Sequence, residues 1–142
     1  WKEAHAGYDK AVADMPPALQ GRVVEGLPYS AWQILEHLRL AQEDLLEFCV
    51  NPHYEEKEWP ADYWPTVPEP PSADAWNQSV ARFKADRERL QALAVDPAID
   101  LTAKIAHGTG QTFLREILLV IDHNAYHVAE LVVIRRLLGA WK

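Results

Sequence analysis

One cysteine, one methionine and six glycines are all that the 142 residues contain of these types. The lone Cys49 excludes an internal disulfide, so a fold held by packing alone and a reducing cytoplasm are expected. Bases are also few, 14 against 21 acidic residues, giving a net charge of −7. That balance opposes DNA, RNA and anionic lipid unless the bases cluster. Arg135-Arg136 and the spread Arg82, Lys84, Arg87 and Arg89 are flanked by acids or fall on outer helix faces, so neither a nucleic-acid nor a membrane partner is expected. No apolar run reaches the ~18 residues of a membrane span, and no signal-peptide pattern opens the chain. There is no G-x-S-x-G elbow, no phosphate-cradling glycine loop and no nucleotide fingerprint, which removes the common hydrolase and nucleotide-binding readings.

What is present is the composition of a soluble globular chain, 49% apolar and 25% charged, read as one domain over residues 1–142. The longest helical pattern, Thr112 to Trp141, corresponds to a rod of roughly 40 Å and ends at Gly139. Before it, Trp1, Ala4, Tyr8, Val12 and Met15 follow a 3.6-residue period, so a first helix is expected up to Pro16-Pro17. The stretch 16–29, with Gly21, Gly26 and Pro28, reads as loop. Ser30 with Gln33 is a capping-box signature and opens a second helix to about Cys49. Six of the ten prolines, with Trp59, Tyr63 and Trp64, fall between Val50 and Ser72, where no helix is expected and a lid-like crossover is. Ser72 is expected to cap a third helix carrying Trp76, Val80, Phe83, Arg87 and Leu90. A turn-rich passage with a short extended piece at Leu101–Ile105 leads into the last helix. Four apolar-faced helices and no convincing sheet make an all-α four-helix bundle with a long crossover loop.

The chemistry lies in the histidines. His123 and His127, one turn apart, share an inward stripe with Glu116, Val120, Glu130 and Leu131, all within about 80° at 100° per residue. His37 lies on the apolar stripe of the second helix, so it too faces the core. A pair at i and i+4 plus a third imidazole from a facing helix is a three-nitrogen set for one divalent metal with open positions. Imidazoles left buried and unpaired would cost about 1–3 kcal/mol each, which a shared metal would remove. The alternative for each is a hydrogen-bonded core histidine. His5 and His53 read as surface residues, and His107 sits beside Gly108 in a turn. A zincin site is excluded because Asn124 follows His123. A di-iron site is excluded because Ile34, Val120 and Asn124 stand three residues before the histidines.

The segments SAWQILEHLRLAQEDLLEF around His37 and GQTFLREILLVIDHNAYHVAELVVIRRLLG around His123 and His127, in this order and separation, resemble the DinB-like (YfiT-like) superfamily of metal-binding four-helix proteins. D-H-N-A-Y-H is the most specific piece. The resemblance implies an up-up-down-down bundle, a triad of His37, His123 and His127 holding nickel or zinc, with iron or manganese as further candidates, and a homodimer. It also implies a thiol-dependent transferase joining a low-molecular-weight thiol to an electrophilic substrate, with metal-dependent hydrolysis as the alternative; the rival reading, apart from the resemblance, is a non-catalytic metal- or ligand-binding module. Many relatives have H-x-G-Q after the second histidine of the pair, whereas this chain has His127-Val128-Ala129-Glu130. Glu130, ahead of Glu116, is therefore the candidate catalytic carboxylate, as proton acceptor or as hydrogen-bond partner of an imidazole N–H.

Overall fold

A computed structural model describes residues 5–141. Among them are five helices and no strand: α1 (Tyr8–Val12), α2 (Pro17–Gln20), α3 (Ala31–Val50), α4 (Ala75–Val95) and α5 (Phe113–Leu137). The fold is all-α, as expected, but with three long helices and two short ones. The two isolated bridges, Val23 with Ser30 and Lys104 with Thr112, leave Leu101–Ile105 without a strand.

Local chemistry accounts for the helix ends. Ser30 Oγ accepts from Gln33 N while Gln33 Oε1 accepts from Ser30 N, so the capping box forms as expected. Thr112 caps α5 through Arg115 N, and Gly139 at φ 70° ends it where a left-handed residue is needed. Three boundaries differ from expectation. The first helix stops at Val12 rather than Met15, because Ala13 is extended and Asp14 sits at φ 52°; the expected Trp1 and Ala4 lie outside the described residues. The loop at 16–29 contains α2, started by Pro17 at its first turn, where a missing N–H costs nothing. The third helix begins at Ala75 with Asp74 as its N-cap, not at Ser72, whose carbonyl instead accepts Ala75 N in the preceding turn.

The central element is α3, which packs on both α4 and α5. Gln42 reaches Phe83 and Glu47 reaches Arg89, so α3 and α4 run parallel. Gln42 also meets Asn124 while His37 meets His127, so α5 runs antiparallel. The up-up-down-down order is not the one these contacts trace, since it would set α3 and α4 antiparallel. The physical reason is the long proline-rich connector, which returns the chain to the starting end of α3 before α4 begins.

The largest apolar cluster joins Tyr8, Val12 and Met15 to Trp32, Leu35, Leu38, Trp76, Phe83, Leu131 and Ile134, with Tyr8 stacked on Phe83 at 3.8 Å. Smaller clusters around Leu46, Leu90 and Val120, and around Cys49, Leu93 and Ile105, continue toward the other end. The histidines lie along the α3–α5 seam between them. α5 is the one described helix whose length and apolarity suit a membrane span, a property the count of uninterrupted apolar residues did not show. It nevertheless buries Glu116, His127 and Arg135.

Candidate metal centre

His37 leaves the first half of α3, and His123 and His127 leave successive turns of α5. Antiparallel packing brings the three together, so that His37 Nε2 lies 3.1 Å from His123 Nε2 and 3.2 Å from His127 Nε2. His37 and His127 are buried and His123 is partly so. The ends of the imidazoles that face away from this cluster decide its chemistry. His37 Nδ1 donates to the carbonyl of Tyr63 at 2.9 Å. His127 Nδ1 donates to Glu130 Oε2 at 2.7 Å. With the ring proton committed at Nδ1 in both, each Nε2 is a bare lone pair. Two lone pairs 3.2 Å apart cannot hydrogen-bond; only a cation between them makes the contact favourable.

The spacing fits such a cation. Two imidazole nitrogens bound at ~2.0–2.1 Å to one ion lie about 2.8–3.4 Å apart across octahedral to tetrahedral geometry, and both separations fall in that range. Burial lowers the pKa of all three rings, His37 and His127 to about 4, and the neighbouring imidazoles add to the lowering at His37 and His127. Neutral imidazole is the ligating form. His123 Nδ1 is buried without a hydrogen-bond partner.

Aromatic residues close one side. Trp64 stacks on His37 with ring centroids 3.7 Å apart and planes within 8°. Trp59 stands edge-on at 6.3 Å and packs against Tyr63. The proline-rich connector therefore covers the triad, as its composition suggested. It is tied to α3 by Ser30 Oγ to Pro68 O and by Gln33 Nε2 to Pro65 O. Two apolar clefts flank the triad. One, about 270 Å³, is bounded by Tyr29, Ile34, Tyr126, Glu130 and Val133. The other, about 860 Å³, lies between α4 and α5 over Phe83, Leu90, Ile121 and Asn124. Neither is lined by the imidazoles.

The remaining candidates fall elsewhere. Glu130 sits beside His127, on the face away from the Nε2 cluster. Glu116 is buried and paired with Arg115, and is not among the clustered ligand atoms. His5 and His53 are exposed, and His107 donates to Phe48 O. Burial raises the Cys49 thiol to about 12, so it packs and does not react. Sequence reasoning missed two contributors: the Tyr63 carbonyl and the Trp64 ring. The density of aromatics in the connector was the signal that could have pointed to them.

A family model of the DinB superfamily matches residues 1–131 of the chain. Searches of curated proteins and of solved structures find no match.

Proposed function

Because the chain belongs to the DinB superfamily, we propose that His37, His123 and His127 hold one divalent metal, nickel or zinc in first place, and that the protein is a metal-dependent transferase. Its substrates in this reading are a low-molecular-weight thiol and an electrophile. The observation that carries the metal site is the convergence of three Nε2 atoms, with His37 Nε2 at 3.1 Å from that of His123 and 3.2 Å from that of His127, those of His37 and His127 meeting as bare lone pairs. A metal bound there supplies Lewis acidity, which lowers the pKa of a thiol or water.

The chain's own residues supply the rest. Tyr63 and Glu130 hold the Nδ1 protons of His37 and His127, which keeps both Nε2 atoms available. Trp59 and Trp64 cover the His37 side and limit water there, which favours a bound thiol over free water as nucleophile. Glu130 acts in this account through His127, as a positioning residue. The apolar cleft beside Glu130 suits the hydrophobic part of an electrophile.

A second reading, a metal-binding module without turnover, is favoured by the same Trp64 stack and by the absence of the imidazoles from both flanking clefts. Low-molecular-weight thiols assayed with chlorodinitrobenzene separate the two. The transferase predicts conjugation that stops with chelator and returns with metal; a rate indifferent to chelator leaves the binding module.

For the assembly we propose a homodimer. α5 leaves Leu118, Ile121, Tyr126, Val133 and Leu137 exposed, and a helix apolar on so many sides favours further burial.

A further inference from the structure

Asp44 stands two turns beyond His37 on α3, 7% exposed, and its side-chain hydrogen bonds go to tyrosines and not to the imidazoles. A buried carboxylate is costly unless its oxygens are satisfied, and here both are engaged by the connector. Tyr63 Oη donates to Oδ2 at 2.7 Å, and Tyr54 Oη lies 3.1 and 3.2 Å from Oδ1 and Oδ2. Lys57 Nζ approaches only to 4.0 Å, so the phenols are its principal partners. Tyr63 is thus held at both ends: its hydroxyl on Asp44, and its carbonyl receiving the His37 Nδ1 proton at 2.9 Å. Trp64, the next residue, lies flat on the His37 ring.

Resting on the reading of the triad as a metal site, we propose that Asp44 is a positioning residue for that site. Through a clasp with Tyr63 and Tyr54 it holds the connector against α3 and fixes His37 as the Nδ1–H tautomer, with Nε2 turned to His123 and His127. Further ties between the connector and α3 lie at Pro65 and Pro68, beyond Trp64 toward the start of the helix, and at Lys57, 3.7 Å from Glu43. The tie made by the Tyr63 side chain itself is the one to Asp44. Burial and the Asp44 carboxylate raise the pKa of both phenols, Tyr54 to about 12, so both remain donors at neutral pH.

The test uses the full chain, first metal-free and then titrated with Co²⁺. Long-range proton–nitrogen NMR reads the His37 tautomer directly, and cobalt absorption gives the dissociation constant. Tyr63→Phe and Asp44→Ala are expected to convert His37 from a single Nδ1–H tautomer to a mixture and to weaken Co²⁺ binding about tenfold or more, the usual cost of losing an outer partner of a ligating histidine. Asp44→Asn, whose amide oxygen still accepts one phenol, is expected to restore most of both. An unchanged tautomer with Co²⁺ affinity within twofold of wild type in Tyr63→Phe would overturn the proposal. Tyr63→Phe removes one hydroxyl from a half-buried ring, so it decides the question even where Asp44→Ala fails to fold. A wild-type chain that binds no Co²⁺ would refute the metal reading, while the metal-free tautomer comparison would still judge the clasp.

Discussion

At the residue scale the site depends on where two ring protons sit, those of His37 and His127. His37 and His127 are kept neutral chiefly by burial, with folded pKa values near 4 against 6.5 for a free imidazole. The unfolded chain therefore binds protons first as the pH falls. In the metal-free protein, stability is complete above about pH 6.5 and declines as pH drops toward 4. Urea unfolding with chelator present should show the midpoint falling over that window, and the fall should shrink in a His37→Gln, His127→Gln double variant. A midpoint equally pH-dependent in both proteins would remove the histidines from the explanation. The histidines themselves were legible in the sequence, because an i, i+4 pair and an inward third histidine follow from helical angles alone. Their outer partners were not. A backbone carbonyl in a proline-rich connector has no periodicity to read, and Asp44 looked like any carboxylate on a helix until its tyrosines were placed.

At the element scale, α3 and α5 were readable because each carries its own start signal and an apolar stripe, and α4 was readable except for its first turn. The length of α1 was not, because its end depends on Asp14 adopting a positive φ, which no pattern announces. Helix direction was also hidden: apolar periodicity says which face is inward and nothing about which way the rod points. Arg135 shows how the short element is held. It is 5% exposed and donates to Ala11 O and Ala13 O at the end of α1 and to Ala140 O beyond α5. Arg135→Met removes these donors and leaves carbonyls unpaired, each worth about 1–3 kcal/mol when buried. A loss of at least ~2 kcal/mol by denaturant unfolding is expected, with the α3–α5 metal site retained in the folded fraction. A loss below ~0.5 kcal/mol would show that water replaces the guanidinium at no cost.

At the scale of the whole molecule, the net charge of −7 opposes binding to nucleic acid. The exposed apolar positions of α5 became apparent only when its neighbours were placed. If they join two copies, Ile121→Asp, at a position 60% exposed in the single chain, should shift the sedimentation mass from dimer to monomer without lowering the melting temperature of the monomer. A wild-type chain that sediments as a monomer would contradict the dimer.

The central claim is that three imidazoles on α3 and α5 form one metal centre, and elemental analysis of protein purified without a histidine tag tests it most directly. The account predicts close to one divalent metal per chain in the wild type, and near-complete loss in His123→Ala with the helical content unchanged. Equal trace metal in both proteins would contradict it.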